Sequence, residues 1–208
     1  MEKGKTMGYT HYLEKPVHIE NWDKIISDVK KVLKFVTSEL KIDIVNGFGD
    51  ADTTPILDEE RICLNGSMKQ RDSRWITEKK LGLVWPSSYP SMVVEPGGSL
   101  VGGSWCGGAT VNQRIAPNGD GSYETLYIAR NCDKSEETDP SFTFCKTGYR
   151  PYDIAVMCCY LLVKHHDPRV IVSTDGTIDE WRCAEAILRK ECGIDMDIAN
   201  ALKYPELI

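Results

Sequence analysis

The stretch from Phe144 to Asp153, Phe-Cys-Lys-Thr-Gly-Tyr-Arg-Pro-Tyr-Asp, concentrates side chains that can bind or react. Pro151 and Asp153 are typical of a first helical turn, where a missing N–H costs nothing and a carboxylate meets the positive end of the helix dipole. Backbone N–H groups at such a helix start favour anions. The stretch adds cationic and neutral donors and two aromatic faces: Lys146, Thr147, Tyr149, Arg150 and Tyr152. This combination predicts a pocket for a small nucleotide-like anion.

Two other segments supply the remaining candidate ligand-binding residues. Three of them lie in a candidate strand and are expected to line the opposite wall: Tyr9, His11 and Tyr12. Trp105 lies in the glycine-rich stretch Pro96–Gly108, which is either a flexible surface loop or a lid over the ligand. An alternative to the whole pocket stays open, in which the cations pair with surface carboxylates and the tyrosines form the edge of the core.

A thiol enzyme is the second functional hypothesis. Cys145 precedes Lys146 and is a candidate nucleophile of lowered pKa, with His11 or His165 as its base. The chain has eight cysteines but no C-x-x-C pair and no zinc-finger spacing, so most are expected to be small buried residues. We therefore expect neither a metal nor a cofactor.

The elements that must position these residues are predicted from hydrophobic periodicity. Helices are expected at Glu20–Leu40, at the apolar run Ile154–Val163 and at Asp179–Cys192, with Asn21 capping the first and Gly193 ending the last. The central run has almost no polar positions, so that helix is expected to be buried on most sides. Short strands are expected at several places: Met7–Leu13, Ile42–Val45, Arg61–Leu64, Met92–Glu95, Tyr123–Arg130 and Arg169–Ser173.

This order of elements predicts an α+β fold, with a mostly antiparallel sheet and about three principal helices on one face. A single domain over residues 1–208 is expected, with an irregular glycine-rich insertion at about 71–121.

Composition narrows the classes of function. The net charge of −6 argues against a general nucleic-acid binder, while leaving room for a local cationic pocket. No apolar run reaches the roughly 18–20 residues of a membrane span. The N-terminus lacks the apolar stretch of a signal peptide, so reduced thiols in the cytosol are expected.

Four motifs occur in one order and carry a resemblance: Met-Gly-Tyr-Thr-His-Tyr from Met7, Arg-Ile-Cys-Leu-Asn-Gly from Arg61, Phe-Cys-Lys-Thr with Pro-Tyr-Asp from Phe144, and Ser-Thr-Asp-Gly from Ser173. Together they resemble a group of uncharacterised small proteins encoded by bacteriophages and prophages. That group often has Ala-Arg-Lys before the proline, where this chain has Gly148-Tyr149-Arg150.

The resemblance and the predicted pocket together suggest a phage-type, non-catalytic binding protein of the host bacterial cytosol. We expect it to sequester a nucleotide-derived signal used in antiviral defence. Two alternatives stay open: a protein–protein inhibitor acting through an acidic surface such as Asp133–Asp139, and a thiol-dependent enzyme on a nucleotide-like substrate. A homo-oligomer also stays open.

Overall fold

The computed structural model describes residues 9–76, 93–94, 100–101, 114–132 and 141–203. Its helices are α1 (Trp22–Ser38), α2 (Asp153–His166), α3 (Ile178–Cys192) and the short α4 (Ile198–Ala201). Its strands are β1 (Thr10–Glu14), β2 (Ile44–Val45), β3 (Ile56–Leu57), β4 (Arg61–Gly66), β5 (Val93–Val94), β6 (Leu100–Val101), β7 (Leu126–Ala129), β8 (Phe142–Lys146), β9 (Ile171–Thr174) and β10 (Leu202–Lys203). The predicted α+β class, with mainly antiparallel strands and about three principal helices, is confirmed.

The central helix α2 is the middle of the core. Every residue from Asp153 to Val163 is buried, as its uninterrupted apolar sequence predicted. The helices α1 and α3 pack against it and against each other. The first residue of this helix, Asp153, is acidic and is nevertheless buried. Its partners belong to the candidate functional site.

Each flanking helix begins and ends for a local reason. In α3 a capping box joins Thr177 and Glu180, and Gly193 ends the helix in the left-handed conformation at φ 68°. The expectation for Asn21 was half right, because it occupies the N-cap position of α1 but makes no capping side-chain hydrogen bond. Its side-chain amide instead donates to the carbonyl of His166, 2.9 Å away, and so joins α1 to the end of α2.

The main sheet has the strand order β10-β9-β1-β8. Strand β1 is antiparallel to both neighbours, so β8 and β9 run in the same direction. The strand β10 is parallel to β9. The carboxyl ends of β8 and β9 therefore meet the amino end of β1 at one edge of the sheet, which is where α2 and α3 begin.

A second sheet joins β2, β3 and β7 around β4, and β5 pairs with β6 in a separate hairpin. That hairpin includes the only described part of the stretch Pro96–Gly108. Most of the predicted insertion at 71–121 lies outside the described residues, as does Trp105. Within the residues that the structure describes, no helix is long and apolar enough to cross a membrane.

Candidate functional site

Segments that are far apart in sequence meet at the edge of the main sheet where β8 and β9 end. The backbone N–H of Thr147 donates to the carbonyl of Tyr9 at 3.0 Å, and that of Asp175 donates to the carbonyl of Thr10 at 3.0 Å. Three of the four motifs identified in the sequence thus converge on one place, and their polar side chains turn inward there.

These side chains form what we call the Asp153 cluster: His11, Arg114, Thr147, Asp153 and Thr174. One carboxylate oxygen of Asp153, Oδ1, accepts from His11 Nε2 at 2.6 Å and from the hydroxyl of Thr147 at 2.6 Å. The other oxygen, Oδ2, accepts from Nε of Arg114 at 2.6 Å and forms an ion pair with Nη2, also at 2.6 Å. The side chains of Asp153, His11 and Arg114 are fully buried.

The hydrogen bonds assign the tautomer of His11. Because a carboxylate only accepts, Nε2 must carry the proton that it shares with Asp153. The other ring nitrogen, Nδ1, lies 2.8 Å from the hydroxyl oxygen of Thr174, which also accepts from the N–H of Gly176 at 2.9 Å. The Thr174 hydroxyl can then donate to Nδ1, and every donor in this chain of contacts has an acceptor.

The charges of the cluster stabilise one another. Burial alone would raise the pKa of Asp153, but the positive charge of Arg114 and the hydrogen bonds from His11 and Thr147 lower it to about 2. Burial opposes the charge of Arg114, and the adjacent carboxylate of Asp153 more than offsets this and raises the pKa of the guanidinium. Asp153 is therefore an internal anion that joins β1, β8, β9, α2 and the segment at Arg114.

The turn from Thr147 to Arg150 begins in this cluster, because Thr147 belongs to both. Gly148 and Tyr149 have φ values of 54° and 57°, and the N–H of Arg150 donates to the carbonyl of Thr147 at 3.0 Å. A tyrosine in the left-handed region needs support from its surroundings. The Tyr149 ring stacks on Tyr9 with centroids 3.8 Å apart. Burial and the negative charge of Glu180, which is hydrogen-bonded to the phenol, raise the pKa of Tyr149 to about 12.

On the outside of the turn, two cations converge on one exposed ring, and we call Tyr123, Lys146 and Arg150 the Tyr123 site. Lys146 Nζ lies 5.9 Å and the Arg150 guanidinium carbon 5.6 Å from the ring centroid of Tyr123. The Tyr123 side chain is 45% exposed. Arg150 Nε also donates to the carbonyl of Ser122 at 3.1 Å, which fixes the guanidinium and leaves its Nη groups for other acceptors.

The predicted ligand-binding residues therefore divide into an inner and an outer group. Tyr9, His11 and Thr147 are buried supports, and only Lys146 and Arg150 belong to the Tyr123 site. The expectation that Tyr152 stacks on a ligand was wrong. It is fully buried, and its hydroxyl donates to the carbonyl of Glu124 at 2.6 Å.

Tyr12 also lies away from the predicted pocket wall. It is on the outer face of β1, where its ring stacks beside Phe142 at 6.0 Å and its hydroxyl donates to Asp175 at 3.2 Å. Trp105 and residues 133–139 of the acidic loop lie outside the described residues, so the predicted lid and acidic surface stay predictions.

The thiol hypothesis gains no support from the surroundings of Cys145. Its side chain is fully buried, its thiol donates to the carbonyl of Glu124 at 3.4 Å, and burial raises its pKa well above the ordinary value. His11 faces the same side of the sheet as Cys145, but both of its ring nitrogens bind other partners. The alternative base, His165, lies in the last turn of α2, at the opposite end of that helix from Asp153.

Sequence reasoning missed Arg114 and Tyr123. Arg114 lies within the predicted insertion at 71–121 and is 39 residues from its partner Asp153, and no local pattern marks it. Tyr123 was expected at the start of a strand, and only its exposure beside two cations distinguishes it. Within the described ranges, no three metal-ligating side chains come together.

No protein-family model, curated protein or solved structure matches this chain.

Proposed function

We propose that this chain is a non-catalytic binding protein for a small phosphate-bearing, nucleotide-like anion, which it holds at the Tyr123 site. One observation carries the proposal: Lys146 and Arg150 both lie against the exposed Tyr123 ring, and in the described part of the chain neither forms an ion pair.

The Glu124 carboxylate accepts from the backbone N–H of Lys146 at 2.9 Å, but in the described part of the chain neither the Lys146 ammonium nor the Arg150 guanidinium forms an ion pair with a carboxylate. The chain has 31 acidic and 25 basic residues, so carboxylates are plentiful on its surface. Two like charges close together repel each other, and an anion between them would relieve that repulsion. A local cationic site of this kind is compatible with the net charge of −6, because a small anion responds to the nearest charges once salt screens the others.

The side chains suit the separate parts of a nucleotide. The guanidinium of Arg150 offers a planar pair of donors to phosphate oxygens, and Lys146 adds a mobile point charge. The exposed part of the Tyr123 ring offers a surface on which a base can stack. Phosphate and base would therefore be recognised side by side, within the reach of one turn.

The site is held in place before any ligand arrives. The side chain of Asn65 accepts from the N–H of Tyr123 at 3.1 Å and donates to its carbonyl at 2.9 Å. Gly148 lies under the Tyr123 ring, because a Cβ built at Gly148 would be 3.6 Å from three atoms of that ring. The Asp153 cluster holds Thr147, the first residue of the turn. Because the side chains of the site are already supported, less conformational entropy is lost on binding, which favours affinity.

Two observations favour binding over chemistry. The candidate nucleophile Cys145 is buried with a raised pKa, and the candidate base His11 is committed to Asp153 and Thr174. The phage-like resemblance supplies the proposed biological role, in which the protein sequesters a nucleotide-derived signal of bacterial antiviral defence.

The test is a depletion and recovery experiment. The protein is incubated with ATP, ADP-ribose and a cyclic dinucleotide in turn, the free nucleotide is measured by chromatography, and the protein is then heated to release what it bound. Depletion followed by return of the intact nucleotide supports the proposal. Return of an altered nucleotide would show an enzyme. No depletion by any of these probes would contradict nucleotide binding and favour a protein partner.

Tyr123→Leu is the matched variant for the stacking contact. It removes the aromatic ring, keeps a shorter apolar side chain and leaves both cationic residues unchanged. We expect weaker depletion of nucleotides, because the loss of one stacked base should lower the affinity by roughly five- to 150-fold. Binding of inorganic pyrophosphate, which has no base, should change much less.

A further inference from the structure

A lysine and a cysteine that are distant in sequence lie in direct contact between the two sheets. The Nζ of Lys15 is 2.7 Å from the Sγ of Cys132, although 117 residues separate them in the chain. That distance is typical of a strong hydrogen bond between nitrogen and oxygen, and sulfur is a larger atom. The two side chains are therefore in tight contact.

The surroundings of Lys15 make the contact unusual. Only 7% of the residue is exposed, and lysines so deeply buried normally face a carboxylate. Within the described ranges Lys15 forms no ion pair, and the thiol of Cys132 is its side-chain partner. An amine and a thiol are both nucleophiles, so oxidation of one makes it an electrophile for the other.

The backbone imposes this proximity. The N–H of Cys132 donates to the carbonyl of Val17 at 2.8 Å, and the N–H of Ile19 donates to the carbonyl of Arg130 at 2.9 Å. A β-bridge joins His18 and Asn131 between these contacts. These backbone contacts bring the two segments, and with them the Lys15 and Cys132 side chains, together independently of any attraction between the side chains.

Cys132 is also partly exposed, so a small oxidant can approach this residue from solvent. This separates it from Cys158 and Cys183, which are fully buried and whose pKa values burial raises. Oxidation by a small peroxide follows exposure and thiolate formation. Cys132 therefore combines access from solvent with an amine in contact.

We propose that Lys15 and Cys132 form a covalent sulfenamide crosslink when the protein meets hydrogen peroxide. Peroxide first oxidises the thiol to a sulfenic acid and is reduced to water. The Lys15 ammonium loses one proton to solvent, and its nitrogen lone pair attacks the sulfur. The S–O bond breaks, hydroxide leaves as water with a second amine proton, and an S–N bond remains. The thiol is oxidised by two electrons overall, and an added thiol reverses the link.

The crosslink would tie the two sheets together. Lys15 directly follows β1 of the main sheet, while Cys132 lies just beyond β7 of the second sheet. Closing so long a segment of chain restricts the unfolded state in the way that a disulfide does. We expect the melting temperature to rise on the order of 10 °C after oxidation and to return when dithiothreitol is added.

The test is peptide mapping of the full chain. The protein is treated with hydrogen peroxide, blocked with N-ethylmaleimide, digested without reductant and analysed by mass spectrometry. The expected product is a linked pair of peptides containing Lys15 and Cys132, lighter by two hydrogen atoms than the separate peptides. Lys15→Arg keeps the positive charge but removes the attacking amine, so the link and the thermal shift should both disappear.

Cys63→Ser is the matched control, because Cys63 is also partly exposed but has no amine in contact in the described part of the chain. That variant should still form the link. The proposal is overturned if wild-type protein gives no linked peptides while Cys132 is recovered as a thiol, sulfenic or sulfinic acid. It is also overturned if the same thermal shift appears in Lys15→Arg.

Discussion

Replacing Asp153 with Asn should destabilise the protein strongly, because the change removes one charge from a fully buried ion pair. Asn keeps an oxygen that can accept from His11 and Thr147, as Oδ1 does now. Its amide nitrogen, however, would replace Oδ2 and oppose the Arg114 donors, which lie 2.6 Å from that oxygen. The buried guanidinium would then lose the carboxylate charge beside it.

The expected cost follows from the loss of that charge. Breaking a buried ion pair by removing one partner costs about 3–5 kcal/mol, against a total stability of roughly 5–15 kcal/mol for a domain. At this chain length the melting temperature should fall by roughly 6–20 °C. Urea unfolding followed by tryptophan fluorescence measures the free energy, since the chain has five tryptophans.

Combining Asp153→Asn with Arg114→Met separates the charge from the shape of the site. The double variant lacks the buried cation, so it should be more stable than Asp153→Asn alone by on the order of 2 kcal/mol. A cost below about 1 kcal/mol for Asp153→Asn, as for an ordinary surface substitution, would refute the role of the cluster.

The same variant should change the acid dependence of stability. The pKa of Asp153 is lowered from 3.8 to about 2 in the folded protein, so its contribution to stability is present above pH 4 and is lost as the pH falls towards 2. Asp167, whose pKa the hydrogen bonds from Arg169 lower to about 2, contributes in the same range. Asp153→Asn should therefore remove only part of the acid loss, and Asp167→Asn should remove a separate part.

Two further predictions concern the frame of the site. Gly66→Ala should prevent stable folding, because its Cβ would lie 2.0 Å from the carbonyl oxygen of Gly121. A Cβ added at Gly193 would meet no neighbour, but φ there is 68°, so Gly193→Ala should lower the free energy of unfolding by only about 1–2 kcal/mol. Urea unfolding of both variants measures these effects. Native Cys145 should resist iodoacetamide and react only on unfolding, because its buried thiol is held neutral. Rapid labelling of Cys145 in the native protein would reopen the thiol hypothesis.

The sequence predicted those features that depend on neighbours along the chain. The apolar run of α2 predicted its burial, and Gly193 predicted the end of α3. Features that depend on distant partners were missed or misjudged. The side chain of Asn21 binds the carbonyl of His166 instead of capping its own helix, because a partner 145 residues away is available.

In the candidate site, too, local features were predicted and contacts between distant residues were not. The stretch from Phe144 to Asp153 was recognised by its residue types, but types alone do not fix which side chains turn inward. Tyr152 and Asp153 both point into the core, the first to a backbone carbonyl and the second to Arg114. The ion pair with Arg114 is a property of the tertiary structure, and so is the placement of Tyr123 beside Lys146.

Nucleotide binding at the Tyr123 site is tested most directly by calorimetry, in which a nucleotide that the wild-type protein binds is titrated into Lys146→Ala and Arg150→Ala. Each variant should lose about 1.5–3 kcal/mol of binding free energy, the usual value for hydrogen bonds to a charged group, and should show a weaker dependence on salt. Arg150→Lys should recover part of the loss, and Lys30→Ala, at an exposed position on α1, should bind like the wild type. Unchanged affinity in both alanine variants, with folding intact, would contradict the assignment of this site.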